Sequence, residues 1–124
     1  MKLYLAHSTG YDFQAKLYAP LKEAFAHEHE LFLPHDDRLD GVESKSIIAN
    51  SDVVLAEVSL PSTGQGIELG WANAYDTPII CFYQRGSKVS GALRFVSDTF
   101  IEYTDTDNMI AQLRTKLKTI DQQL

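Results

Sequence analysis

A disulfide is excluded at once, because the 124 residues contain a single cysteine, Cys81. That usage suits a reducing compartment. Cys81 lies in the apolar run Pro78-Ile79-Ile80-Cys81-Phe82-Tyr83 and reads as a buried, inert thiol. A basic surplus is also missing: 11 Lys and Arg face 17 Asp and Glu, a net charge of −6. Nucleic-acid polymers and anionic membranes both need a basic surface, so neither is an expected partner. An anionic small molecule remains compatible, since a few local N–H donors can hold one. No apolar run approaches the roughly 20 residues of a membrane span, and the opening MKLYLAHSTG has no long apolar stretch. The expectation is a cytoplasmic protein. Repeats, low-complexity tracts and linkers are absent too, which predicts one domain over residues 1–124. His35 stands beside Asp36 and Asp37, and that spacing matches no strong metal-ligand pattern. No metal and no cofactor is expected.

What is present is an alternation of periods. Lys2–Ala6 is a short strand, and His7-Ser8-Thr9-Gly10 has turn chemistry. Phe13, Leu17, Leu21 and Phe25 form the stripe of an amphipathic helix, with Pro20 placed to kink or split it. Leu31–Leu33 is a second strand and Ser44–Asn50 a short helix. Asp52–Val58 is so uniformly apolar that it predicts a strand buried on both faces. Pro61–Gly66 reads as a loop, Ile67–Tyr75 as a helix and Pro78–Tyr83 as strand 4. Val89–Val96 is a short helix and Thr99–Tyr103 strand 5. Thr106 or Asp107 caps a last helix bearing Ile110, Leu113, Leu117 and Ile120. This predicts an α/β, flavodoxin-like three-layer fold with a five-stranded parallel sheet in the order 2-1-3-4-5. Ligands bind such sheets beyond the carboxyl ends of the strands, where the order reverses. The loops His7–Phe13 and Ser59–Glu68 are expected to meet there.

In the second loop, Gly64 and Gly66 permit unusual backbone angles and close ligand approach. A helix starting near Gly66 would aim N–H donors into the cleft, and Ser62 and Thr63 add hydroxyls. Glu68 would then fall in the first helical turn, where the dipole favours the ionised form that a glycosyl-transfer nucleophile requires. Gly64, Gly66 and Gly70 do not complete GxGxxG, because Leu69 fills the third place, and no acidic residue ends strand 2. A dinucleotide cofactor is excluded.

The segment from Asp52 to Ala72, DVVLAEVSLPSTGQGIELGWA, resembles the signature of the nucleoside 2-deoxyribosyltransferase superfamily. Its nearest likeness is to the Rcl-type branch of 2′-deoxynucleoside 5′-monophosphate N-glycosidases. The resemblance implies cleavage or transfer at the N-glycosidic bond of a nucleoside or nucleotide. It makes Glu68, in Gly64-Gln-Gly66-Ile-Glu68-Leu-Gly70, the nucleophile that forms a covalent glycosyl ester, with the strand-1 tyrosine, Tyr4, beside it. It assigns Ser62 to the sugar or 5′-phosphate, Gly64 to a backbone donor and Ser90 to a neighbouring subunit's site. It further implies a homodimer or higher homo-oligomer. Two departures stand out. The family's aspartate that assists the departing base is replaced by Ser44, with Glu43, Asp36 and Asp37 as substitutes. The loop after strand 1 also lacks the branch's phosphate-gripping arginine.

Around this motif, His7, Ser8, Gly10 and Asp12 are candidate substrate contacts in the first loop, together with Gly66 in the second. His7 could shuttle protons or be a hydrogen-bonded loop residue, and Asp12 could bind a sugar hydroxyl or cap a helix. Trp71 could wall the site or pack on the sheet. The competing function is a non-catalytic nucleotide- or metabolite-binding module on the same fold, which Ser44 supports. An FMN protein is a third reading, because Ser8-Thr9-Gly10 faintly resembles a flavin phosphate loop. A response-regulator receiver is excluded by His7-Ser8 and Ser59, where acidic residues would be needed.

Overall fold

The computed structural model describes residues 1–38 and 40–123. Five parallel strands, β1 (Lys2–His7), β2 (Glu30–Phe32), β3 (Val53–Glu57), β4 (Ile79–Gln84) and β5 (Thr99–Tyr103), form one sheet in the order β2-β1-β3-β4-β5. Four helices cover it: α1 (Ala19–Phe25), α2 (Gly41–Ala49), α3 (Thr63–Ala74) and α4 (Thr106–Asp121). The expected architecture and strand order are thus observed. No helix among the described residues is long and apolar enough to cross a membrane.

The period-2 alternation of the strands divides the core in two. Leu3, Leu5, Val53, Leu55, Ile80 and Phe82 pack under α1 and α4 with Leu21, Phe25, Leu113 and Leu117. The intervening Tyr4, Ala6, Val54, Ala56, Ile79 and Cys81 pack under α2 and α3 with Ile48, Leu69 and Ala72. Each fully buried aliphatic or aromatic side chain is worth about 1.5–3 kcal/mol. Two faces of this kind hold a small domain together without cross-links.

Pro20 neither splits nor ends its helix. The preceding Gln14–Tyr18 is a π-turn, in which the Ala19 N–H reaches Gln14 O. The widened turn accommodates the ring that would clash in an α-helix, and it leaves Leu17 and Tyr18 both buried. The predicted Val89–Val96 helix is a single 3₁₀ turn, Gly91–Phe95.

Side-chain caps set the other helix starts. Asp40 accepts from Glu43 N at 2.8 Å and Asp105 from Asn108 N at 2.8 Å, so the last helix is capped by Asp105 rather than by Thr106 or Asp107. Ser62 caps α3 and accepts from Gln65 N. Thr63–Gly66 is therefore helix, not loop, and α3 starts one turn earlier than expected. At its other end Asp76 takes a left-handed conformation (φ 57°) and Thr77 N returns to Ala72 O at 2.9 Å, closing the last carbonyls.

Candidate active site

Tyr4 is fully buried on the α2/α3 side of β1. Its hydroxyl meets two groups: the Glu68 carboxylate from the second turn of α3, and Ser44 Oγ from α2 at 3.0 Å. A tyrosine hydroxyl carries one proton. The carboxylate can only accept, so that proton goes to Glu68 and the Ser44 hydroxyl donates to Tyr4. The result is a directed chain, Ser44 to Tyr4 to Glu68, between two helix starts at the carboxyl end of the sheet.

The earlier start of α3 corrects the electrostatic expectation for Glu68. No acidic residue lies in the first turn of α3, so the dipole does not hold Glu68 ionised. Burial dominates and pushes its pKa up to about 7, although the Tyr4 hydrogen bond pulls the other way. At neutral pH the carboxyl is poised between its two forms. Burial, with the nearby Glu68 charge, keeps the Tyr4 phenol protonated far above its usual range.

The first-loop candidates lie elsewhere. His7 follows the strand alternation onto the opposite face and is 5% exposed. Its Nδ1 faces Ser8 O at 2.9 Å and must carry a proton to do so. Nε2 then accepts from the Tyr18 hydroxyl at 2.7 Å, which in turn accepts from His35 N at 3.3 Å. Phe13, Tyr18 and His35 stack around the ring, and burial holds its pKa below the usual imidazole value. Both nitrogens of His7 are committed to the protein. Ser8 Oγ accepts from Gly10 N at 3.0 Å, and Asp12 accepts from Ala15 N at 3.2 Å as a helix cap.

The second-loop candidates are divided by α3. Ser62, Gly66 and Ser90 line one cavity of about 260 Å³, walled by Val58, Leu60 and Leu93. It lies on the side of α3 turned to the 3₁₀ segment, whereas Glu68 faces α2. Gly64 and Gly66 lack positive φ, and a Cβ at either would meet nothing within 4 Å. They keep space open beside α3 rather than permit unusual backbone angles. Trp71 packs into the α2/α3 core, and Lys45 lies over its ring at 5.9 Å. Among the described residues no cluster of His, Cys, Asp or Glu could hold a metal.

Two residues of this region carried no assignment from sequence. Glu57, the last residue of β3 and 3% exposed, accepts from Ser59 N at 2.6 Å, Ser59 Oγ at 3.0 Å and the Tyr103 hydroxyl. A lone glutamate in an otherwise apolar strand is the signal that marks it. Gln65 is buried, and its Nε2 donates to Ala6 O at 3.1 Å and Glu57 O at 2.6 Å. Ser62-x-x-Gln65 fits the capping-box pattern, which locates the helix start although the glutamine side chain is used differently.

No protein-family model matches the chain. A 64-residue stretch, half of this chain, is 39% identical to the 5-hydroxymethyl-dUMP N-hydrolase of Homo sapiens and covers 37% of it. The 5-hydroxymethyl-dUMP N-hydrolase of Branchiostoma floridae is 37% identical over 65 residues, or 51% of this chain and 62% of that protein. Over about half of its length the chain is thus similar to 5-hydroxymethyl-dUMP N-hydrolases. Its match therefore spans about a third to three-fifths of these two curated relatives. Solved structures carry the same fold. The CMP N-glycosidase of Clostridium botulinum superposes with a TM-score of 0.69 at 19% identity, over 92% of this chain and 99% of that one. The 2-deoxyribosyltransferase of Bacillus psychrosaccharolyticus gives 0.66 at 17% identity, over 89% and 90%.

Proposed function

We propose that this chain cleaves or transfers at the N-glycosidic bond of a 2′-deoxynucleoside or its 5′-monophosphate, in the manner of the Rcl-type branch. The observation that carries the proposal is the half-buried Glu68 carboxyl, held by a Tyr4 hydroxyl that also meets Ser44, beside the reversal point of the sheet. The curated relatives that match are named as N-hydrolases of a deoxynucleotide, which agrees with it.

Ionised Glu68 attacks C1′. A bond forms from its free oxygen to C1′ as the C1′–N bond breaks, and the electron pair leaves with the base, which takes a proton from solvent. Tyr4 holds the other oxygen and so orients the attacking one. Water then attacks C1′ of the glycosyl ester, frees Glu68 and releases the sugar; a second base in place of water gives transfer. Thr63 and Gly64, whose N–H groups lie in the first turn of α3 without intrahelical partners, are the donors for a sugar hydroxyl or phosphate. Ser62, Gly66 and Ser90 serve the adjoining cavity, which all three line within one chain; the proposed assembly is a homo-oligomer. His7, Ser8, Gly10 and Asp12 act by shaping the first loop.

The test is a panel of deoxynucleosides, ribonucleosides and their 5′-monophosphates, with released base followed by chromatography. Wild type releases base from at least one, and Glu68→Ala slows it by about a thousandfold or more. Mass spectrometry of the quenched enzyme shows the glycosyl adduct on the peptide containing Glu68. Ser44, with its hydroxyl given to Tyr4 instead of an acid, favours a second reading as a binding module. In that case no base is released, and Glu68→Gln leaves ligand affinity unchanged.

A further inference from the structure

Gln65 precedes Glu68 by one helical turn and is 4% exposed. It is one of few buried polar side chains, and both partners of its amide nitrogen are main-chain carbonyls of the sheet. Ala6 O and Glu57 O come from the carboxyl-terminal ends of β1 and β3, the adjacent strands between which the sheet reverses order. An NH₂ group has two protons, and here each has a carbonyl. Glu57, which supplies one of them, is itself fastened to Ser59 and Tyr103. Ser59 Oγ also accepts from Gln84 N at 2.9 Å, so the fastening extends to β4 and β5. The start of α3 is thus stitched to four strands through one carboxamide.

The next polar side chain along α3 is Glu68, whose contact with Tyr4 lies on the neighbouring flank of the same two turns. We infer that Gln65 is the positioning residue for Glu68: its double hydrogen bond sets the depth at which α3 presses that carboxyl against the Tyr4 hydroxyl. Gln65 makes no hydrogen bond to Glu68; its amide is spent on the two sheet carbonyls, and its hold on Glu68 runs through the helix. Other titratable groups that sense Glu68 are Tyr4 from β1 and, further off, Tyr18 from the π-turn. On α2, Ser44 is the uncharged neighbour of the pair, and Lys45 sits over Trp71. Among the described residues no salt bridge involves Glu68. Its protonation therefore follows its burial, and burial follows the seat of α3.

Gln65→Met keeps the length and removes the donors. The kinetic consequence rests on the proposed glycosidic reaction. With the preferred substrate, Gln65→Met lowers kcat about tenfold while KM stays within about twofold. The acid limb of its pH–rate profile moves down by about half a unit or more, as water reaches Glu68. Gln65→Asn keeps an amide one methylene shorter and shows the same shift at smaller size, which preserves the test if the methionine variant folds poorly. A purely structural glutamine would lower Tm and leave the acid limb in place, and that result overturns the inference. If wild type releases no base from any substrate, the functional reading fails while this one stays open to measurement. A ¹³C titration of the Glu68 carboxyl then decides: a downward shift in the variants supports the inference, and superposed curves overturn it.

Discussion

Glu57 and Glu68 are two carboxyl groups on opposite faces of one sheet, both near the carboxyl ends of its strands, and each meets a tyrosine hydroxyl. They differ in what else they touch. Glu57 also has a backbone N–H and a serine hydroxyl, so its oxygens are occupied by fixed donors. Glu68 has Tyr4 alone, and burial raises its pKa to about 7. A buried carboxylate whose oxygens are filled is a fastening. One with a single donor is under-compensated and keeps an oxygen free for chemistry. Hydrogen-bond saturation, rather than residue type, separates the two.

The largest effect that sharpens this contrast is on stability. Glu57→Ala strands Ser59 N–H and the Tyr103 hydroxyl and costs about 3–4 kcal/mol in urea unfolding. Glu68→Gln goes the other way. Folded Glu68 keeps its proton up to about pH 7, while the unfolded carboxyl loses it near 4.5. The stability this group contributes is complete below about pH 4.5 and gone above about pH 7. The glutamine variant is therefore more stable than wild type at pH 8 by about 1–2 kcal/mol after allowance for solvent screening. Melting curves at pH 8 and pH 4 check it, and the gain disappears at the lower pH. A stabilising Glu57→Ala would break the comparison.

A smaller effect is expected of Tyr4→Phe. It removes the bond that lowers the Glu68 pKa, so the acid limb of the pH–rate profile moves up and kcat/KM at pH 7 falls about tenfold. The smallest concerns His7. Buried and neutral, it contributes stability above pH 6.5 that is lost as pH falls through its lowered folded value. His7→Gln stays within about 1 kcal/mol of wild type at pH 7.5 and shows a flatter decline on the acid side in thermal melts.

The fold was largely readable from the chain because its apolar runs are strong and uninterrupted. Val53–Val58 has no solvent face, and that predicted the central strand. The site was read less completely. Gly64 and Gly66 pointed to a loop, but the Ser62 cap starts a helix through them, and this moved Glu68 out of the first turn. The inference about its charge reversed with it. His7 and Tyr4 are three residues apart on one strand and so face opposite layers, a consequence of strand alternation. Gln65 had no sequence signal for its actual role, because its partners are main-chain carbonyls fifty-nine and eight residues away.

Cys81 gives the chain a built-in clock. The thiol lies on β4 opposite Ala56, within the layer roofed by α3, and burial pushes its pKa up to about 11. A thiol-directed label therefore finds it only in molecules whose roof has lifted. The speed of labelling counts those openings, so a ligand that clamps α3 would announce itself as a slower reaction at an atom it never touches.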